Sequence, residues 1–265
     1  MTFGSLLARY RRERRMSQMD LSAASSVSQR HISFLESGRA RPGTATVKRL
    51  STALKLDFAA ENALYESGGF KSPRPEFSWD DPRFKAAREV LQTLLDRHSP
   101  NPALATRRNG DVLMTNAGFD SLLNWSFEGR NAWHLVGGRK VRNLFRLTLH
   151  PAGLLQFMRN PEEVVPHTLR RIKQAAADDS AAREVLDACL RLQPVAHLAD
   201  LPEPPASAAS SVLVEHYDVR GHSFSFVSMV ASFGCPEDIT AQTIQIELFF
   251  PADQSTAHRL QHAFG

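Results

Sequence analysis

A chain of 265 residues with a formal net charge of +4 is longer than one small core needs and suits two domains. Its 42% hydrophobic and 23% charged residues are ordinary globular usage, which excludes a collagen-like or fully disordered chain. Cys189 and Cys235 are the only cysteines, which excludes a disulfide-rich scaffold or a four-cysteine zinc module and fits a reducing, cytoplasmic setting. No apolar run approaches membrane-spanning length, and residues 1–15 lack the apolar stretch and cleavage site of a secretory leader.

The charge is uneven. Residues 1–72 carry twelve Lys and Arg against six Asp and Glu, and the other 193 carry twenty against twenty-two. A basic segment joined to a near-neutral one points to a polyanion partner for the first segment alone. That segment is also patterned. Phe3, Leu6, Leu7 and Tyr10 recur at helical spacing, with Arg9, Arg11, Arg12, Arg14 and Arg15 on the other faces. Ser17 is placed to cap a second helix from Gln18 to about Ser25, with Leu21 and Ala24 inward. After a short break, Ser28 caps a third helix from Gln29 to about Ser37, with Ile32 and Leu35 inward and Gly38 as its left-handed end. Pro42-Gly43-Thr44 opens a fourth helix carrying Val47, Leu50 and Leu54, and Asp57 caps a fifth closed by Gly68-Gly69. Five short helices predict an all-α bundle, and the second and third have helix-turn-helix spacing.

The stretch "MSQMDLSAASSVSQRHISFLESGRARPGTATVKRLSTAL" resembles the lambda-repressor-like DNA-binding domain of the xenobiotic-response-element (XRE) regulators. The resemblance implies double-stranded DNA as partner. It gives Gln18 the place of a phosphate clamp and puts Ser28, Gln29, Arg30 and Ser33 on the docking face of the third helix, with His31 and Phe34 as further readers. Gln pairs two-pronged with adenine and Arg with guanine, so these side-chain types suit base reading. Arg39 and Arg41 fall where phosphate contacts set register without reading sequence. Arg11 and Glu36 match an internal ion bridge of the family. Ser26 stands where relatives carry Gly, and a side chain at positive φ there costs about 1 kcal/mol.

Residues 71–82 hold the prolines of "FKSPRPEFSWDDP" and read as a linker between domains at 1–70 and 83–265. Pro82 opens a helix to about Arg97 whose apolar face is Phe84, Ala87, Val90, Leu91, Leu94 and Leu95. "PALATRRNGDVLMTNAGFDSLL" then reads as a strand, an Asn109-Gly110 hairpin turn, a second strand and a helix. Residues 139–190 read as mostly helical, broken near Pro151, Pro161 and Pro166. "VLVEHYDVRGHSFSFVSMVASFG" and "TAQTIQIELFFP" supply two or three closing strands, the first pair split at Arg220-Gly221. This order predicts an α+β domain with one antiparallel sheet.

That order resembles a PAS-type sensor. More specifically, "PNPALATRRNGDVLMTNAGFDSLL", "RNLFRLTLHP", "VVPHTLRRIKQAAA" and the paired closing strands resemble the ligand-binding domain of the MmyB-like transcription regulators. The resemblance implies a small apolar ligand, with a fatty acid as the leading class. Phe119, Leu122, Leu123, Trp125, Trp133, Phe145, Leu149, Phe157, Met158, Phe226, Met229 and Phe249 are candidates for the cavity wall; any one of them taken singly suits plain core packing better, because apolar residues at such spacing usually pack. Arg142, Arg146 and His150 recur every four residues and could hold a carboxylate, or be a solvated face, or pair with Glu162 and Glu163.

No phosphate loop, nucleophile elbow, dinucleotide fingerprint or paired-carboxylate motif is present, so neither catalysis nor a cofactor is expected. His258 and His262 share a helical spacing but lack a third ligand. Cys189 reads as a small core residue, and Cys235 sits in a Gly-Cys-Pro loop without a resolving partner. The expectation is a homodimeric, ligand-responsive DNA-binding regulator; the alternative is a second domain that binds a protein and no small molecule.

Overall fold

The computed structural model describes residues 2–73, 78–138, 142–177, 179–199, 212–232 and 244–264. These separate into two compact units, one made of residues 2–73 and the other beginning at residue 78. The first unit is a five-helix region: α1 (Phe3–Glu13), α2 (Gln18–Ser25), α3 (Gln29–Glu36), α4 (Thr44–Ala53) and α5 (Phe58–Ser67). Each start has a local cause. The Ser17 hydroxyl accepts from the Asp20 N–H while the Asp20 carboxylate accepts from the Ser17 N–H, a reciprocal cap. Ser28 and Asp57 accept from the N–H groups of His31 and Ala60.

The apolar stripes meet in one core of Leu7, Tyr10, Leu21, Ile32, Leu35, Val47, Leu50, Leu54 and Leu64. Ala24 lies outside it, contrary to expectation; the buried place on that turn belongs to Ser25, whose hydroxyl donates to the Leu21 carbonyl at 2.6 Å. Gly4 lets α1 close on the end of α3, because a Cβ there would stand 2.4 Å from the Leu35 carbonyl oxygen.

The second unit is α+β. Its elements are α6 (Lys85–Arg97, preceded by a 3₁₀ turn at Pro82–Phe84), β1 (Ala103–Arg107), β2 (Val112–Thr115), α7 (Ala117–Ser126), α8 (Ala132–Leu135), α9 (Leu144–Leu149), α10 (Pro161–Ala176), α11 (Ser180–Leu190), α12 (Gln193–Ala199), β3 (Val214–Val219), β4 (His222–Ser232), β5 (Ile244–Pro251) and α13 (Gln254–Phe264). The strands form one antiparallel five-stranded sheet in the order β2-β1-β5-β4-β3. Arg220 and Gly221, both at positive φ, make the tight β3–β4 turn.

Two local expectations fail. Pro166 does not break the helical stretch but lies inside α10, five residues after Pro161 at its first position. Val90 and Leu94 do not join the buried face of α6; they are 61% and 43% exposed, while Phe84, Leu91 and Leu95 are buried and Ala87 is half-buried. Cys235 and residues 200–211 lie outside the described residues.

Three buried asparagines fasten the helices to the sheet. Asn116 caps α7 through the Phe119 N–H, accepts from Ala103 on β1, and donates to the Leu95 and Asn101 carbonyls. Asn143 caps α9 and donates to the Asn109 carbonyl and Asp111 of the β1–β2 turn. Asn160, just before α10, donates to the Val214 carbonyl and accepts from the His216 N–H on β3. A buried amide with its partners satisfied fixes geometry, because breaking any one bond strands a polar group.

Candidate DNA interface and ligand cavity

In the first unit, α2 and α3 are joined through Ser26, which holds a left-handed conformation (φ 56°, ψ 27°). The chain thus turns as a glycine would, with Ser in its place. Ser28, Gln29, Arg30, Arg39 and Arg41 are exposed; His31, Ser33 and Phe34 are half-buried. The Arg30 guanidinium lies 5.4 Å from the centre of the Phe34 ring, which orders a long cation on the surface of α3. The Phe34 carbonyl accepts from the N–H groups of Arg39 and Ala40, so the loop that carries Arg39 is anchored on α3.

Gln18 faces inward to a polar triad. Arg11 Nε donates to Glu36 Oε1 at 2.7 Å, its second arm donates to Oε2 at 2.9 Å, and Gln18 Nε2 also donates to Oε2, at 2.8 Å. Burial would lift the Glu36 carboxyl, but the bonds from Arg11 and Gln18 and the charges of Arg11 and Arg12 outweigh it and hold it below the usual range. The triad ties α1, α2 and α3 together and sets their relative orientation.

In the second unit, a cavity of about 80 Å³ lies between the sheet and the helices. Its apolar wall includes Phe119, Leu122, Leu123, Leu144, Phe145, Leu154, Val219, Phe224, Phe226 and Phe249. Phe145 is seated against Gly110, where a Cβ would fall 2.4 Å from the ring. Of the expected wall residues, Phe119, Leu122, Leu123, Phe145, Phe226 and Phe249 line the cavity. Trp125, Trp133, Leu149, Phe157, Met158 and Met229 do not. Trp133 stacks behind Phe119, Phe157 packs edge-on to Phe127, and Trp125 meets Phe224 and His222. Leu149 is buried with α10 and α11, Met158 packs with Tyr217 and Leu260, and Met229 is 48% exposed.

Arg142, Arg146 and His150 form no stripe, because α9 spans only Leu144–Leu149. Arg142 precedes the helix and lies over Trp133, and His150 follows it with an extended backbone. None of the three lines the cavity. The Arg146 charge bears instead on Cys189, whose thiol burial pushes up to about 11.

The polar end of the cavity is made by residues that sequence reasoning passed over. Arg171 on α10 grips Glu247 on β5 with both arms, at 2.9 and 3.0 Å. Burial would lower the Arg171 guanidinium, but Glu247 holds it firmly charged. Glu215 and Tyr217 on β3 share the cavity face, and the Tyr217 hydroxyl donates to Glu215 Oε2 at 2.6 Å. Burial pushes the Glu215 carboxyl up to about 7; the Glu247 charge adds to this, while Tyr217 and Arg171 oppose it. The same burial and the Glu215 charge lift Tyr217 well above its usual value. A faint signal existed: Arg171 falls seven residues after Val164 on the buried face of α10, and Glu247 alternates with Phe249.

Comparison with known proteins agrees with both halves. Residues 87–263 match the MmyB-like transcription regulator ligand binding domain, and residues 7–60 match a helix-turn-helix family. Both are families of transcription regulators and neither is enzymatic. No curated protein matches the chain. Among the described residues, no helix is long and apolar enough to cross a membrane, and no three His, Cys, Asp or Glu side chains stand together to hold a metal.

Proposed function

Because the chain belongs to the MmyB-like transcription regulators, we propose that it is a cytoplasmic homodimeric switch in which a small apolar ligand in the second domain changes how the first domain holds DNA. The observation that carries the sensing half is the cavity itself, lined mostly by apolar side chains with the charged groups Arg171, Glu247 and Glu215 gathered at one end. Its size suits a short fatty-acid-like chain, since one water-sized group needs about 10–15 Å³ of such space.

The DNA half rests on α3. Gln29 and Arg30, exposed at its start, read base edges, with Ser33, His31 and Phe34 beside them. Arg39 and Arg41 meet phosphates, and Gln18, despite its bond to Glu36, lies at the start of α2, where it can share a phosphate. One recognition helix makes few base contacts, so a dimer on half-sites about 34 Å apart supplies the missing specificity. The exposed Val90 and Leu94, four apart on α6, give a dimer an apolar surface to cover.

Native mass spectrometry of the purified full chain tests the sensing half. A dimer that carries or takes up a small apolar molecule, and loses it when Leu123→Trp fills the cavity, is expected. An empty chain that captures no such molecule favours a protein-interaction domain instead.

A further inference from the structure

Glu215 is a carboxylate at the polar end of a largely apolar cavity. Asn160 holds its strand to the start of α10, and the half-buried Glu215 side chain lines the cavity. Tyr217 satisfies Oε2. Among the described residues, nothing donates to Oε1.

The cavity offers an anion little in return. Arg171 is the cationic side chain among the lining residues, and both its arms are taken by Glu247. With Glu215 ionised, the lining holds two carboxylates and one guanidinium, a net charge of −1. A ligand carboxylate reaching the remaining N–H groups of Arg171 would stand beside two carboxylates already gathered at that end, and the repulsion disfavours it. A head group that donates hydrogen bonds meets the opposite situation: an acceptor with an open lone pair in a low-dielectric wall, where a charge-assisted bond is strong.

We propose that Glu215 Oε1 receives the donating head of the ligand, an ammonium or hydroxyl group on a short apolar chain, and that the cavity takes such a head in preference to a carboxylate. This rests on the reading of the cavity as the sensing site and replaces only the acid head of a fatty-acid-like ligand. The charged and titratable groups around Glu215 are Tyr217 on its own strand, the Arg171–Glu247 pair across the cavity, and His167 on α10, which feels the same pair. A Glu215 carboxyl near 7 is mostly protonated at pH 6 and mostly ionised at pH 8. An ammonium prefers the ionised form, so it binds more tightly as pH rises through 7.

Isothermal titration of the full chain with octylamine, 1-octanol and octanoate, at pH 6 and pH 8, tests this with one chain length and three heads. Octylamine should bind tightest at pH 8 and about tenfold more weakly at pH 6, following the ionised fraction of Glu215. Glu215→Gln should weaken octylamine about tenfold or more and 1-octanol by less, because an amide oxygen still accepts from a hydroxyl but carries no charge. Octanoate binding as tightly as octylamine, or octylamine indifferent to Glu215→Gln, overturns the proposal and leaves the sensing reading standing. If none of the three binds, the cavity is not the sensing site and the proposal falls with it.

Discussion

Two carboxylates in this chain are held in opposite senses, and their pH signatures differ accordingly. Glu36 lies below the usual range in the folded state. It contributes stability at neutral pH that is lost as pH falls below about 4 through the lowered folded value. Glu36→Gln should therefore flatten the acid limb of the first domain's stability. Glu215, raised to about 7, works the other way. Below about 4 both folded and unfolded forms are protonated; as pH rises, the unfolded chain ionises first and stability falls until pH passes 7. Without ligand, Glu215→Gln should be more stable than the parent by about 3 kcal/mol at pH 8 and equal to it near pH 4, by urea denaturation. The proposed binding role of Glu215 would account for keeping a carboxylate that weakens the unliganded domain. Arg171→Ala should cost about 3–5 kcal/mol, because it strands Glu247 in the core; Arg171→Met with Glu247→Leu should recover most of that loss, which the same denaturation would show.

The helices of the first domain can be read from the chain because their causes are local: Ser17, Ser28 and Asp57 cap, Leu21, Ile32 and Leu35 repeat, and Gly38 ends α3 at φ 73°. The sheet was readable for the same reason at its turns. What could not be read was which long side chains meet. Arg171 and Glu247 lie 76 residues apart and pair only once the fold has brought α10 over β5. Arg142, Arg146 and His150 keep helical spacing along the chain, but α9 is only six residues long and holds Arg146 alone of the three. Likewise Val90 and Leu94 fit the apolar period of α6 but fall on its open side. On α3 itself, roles separate by experiment. Arg30→Ala should relax base preference at one position at a cost of about 1–3 kcal/mol. Arg41→Ala should weaken every sequence alike and lower the salt slope by about one. Binding to a selected site and to its single-base variants, across a salt series, distinguishes them; uniform loss for Arg30→Ala would take it out of base reading.

At the scale of the molecule, the even totals of charge conceal a division of labour. The basic excess of residues 1–72 belongs to the helix-turn-helix family match, and the near-neutral remainder to the ligand-binding family match. A ligand regulates only if it binds one DNA-competence state better than the other, and linkage makes the effect reciprocal. The most direct measurement is the affinity of the full chain for DNA selected from a random-sequence pool, with and without saturating octylamine at pH 8. A shift of about fivefold or more, absent in Glu215→Gln, is the expected result. Superimposable DNA titrations with the cavity filled would contradict the coupling of cavity to DNA.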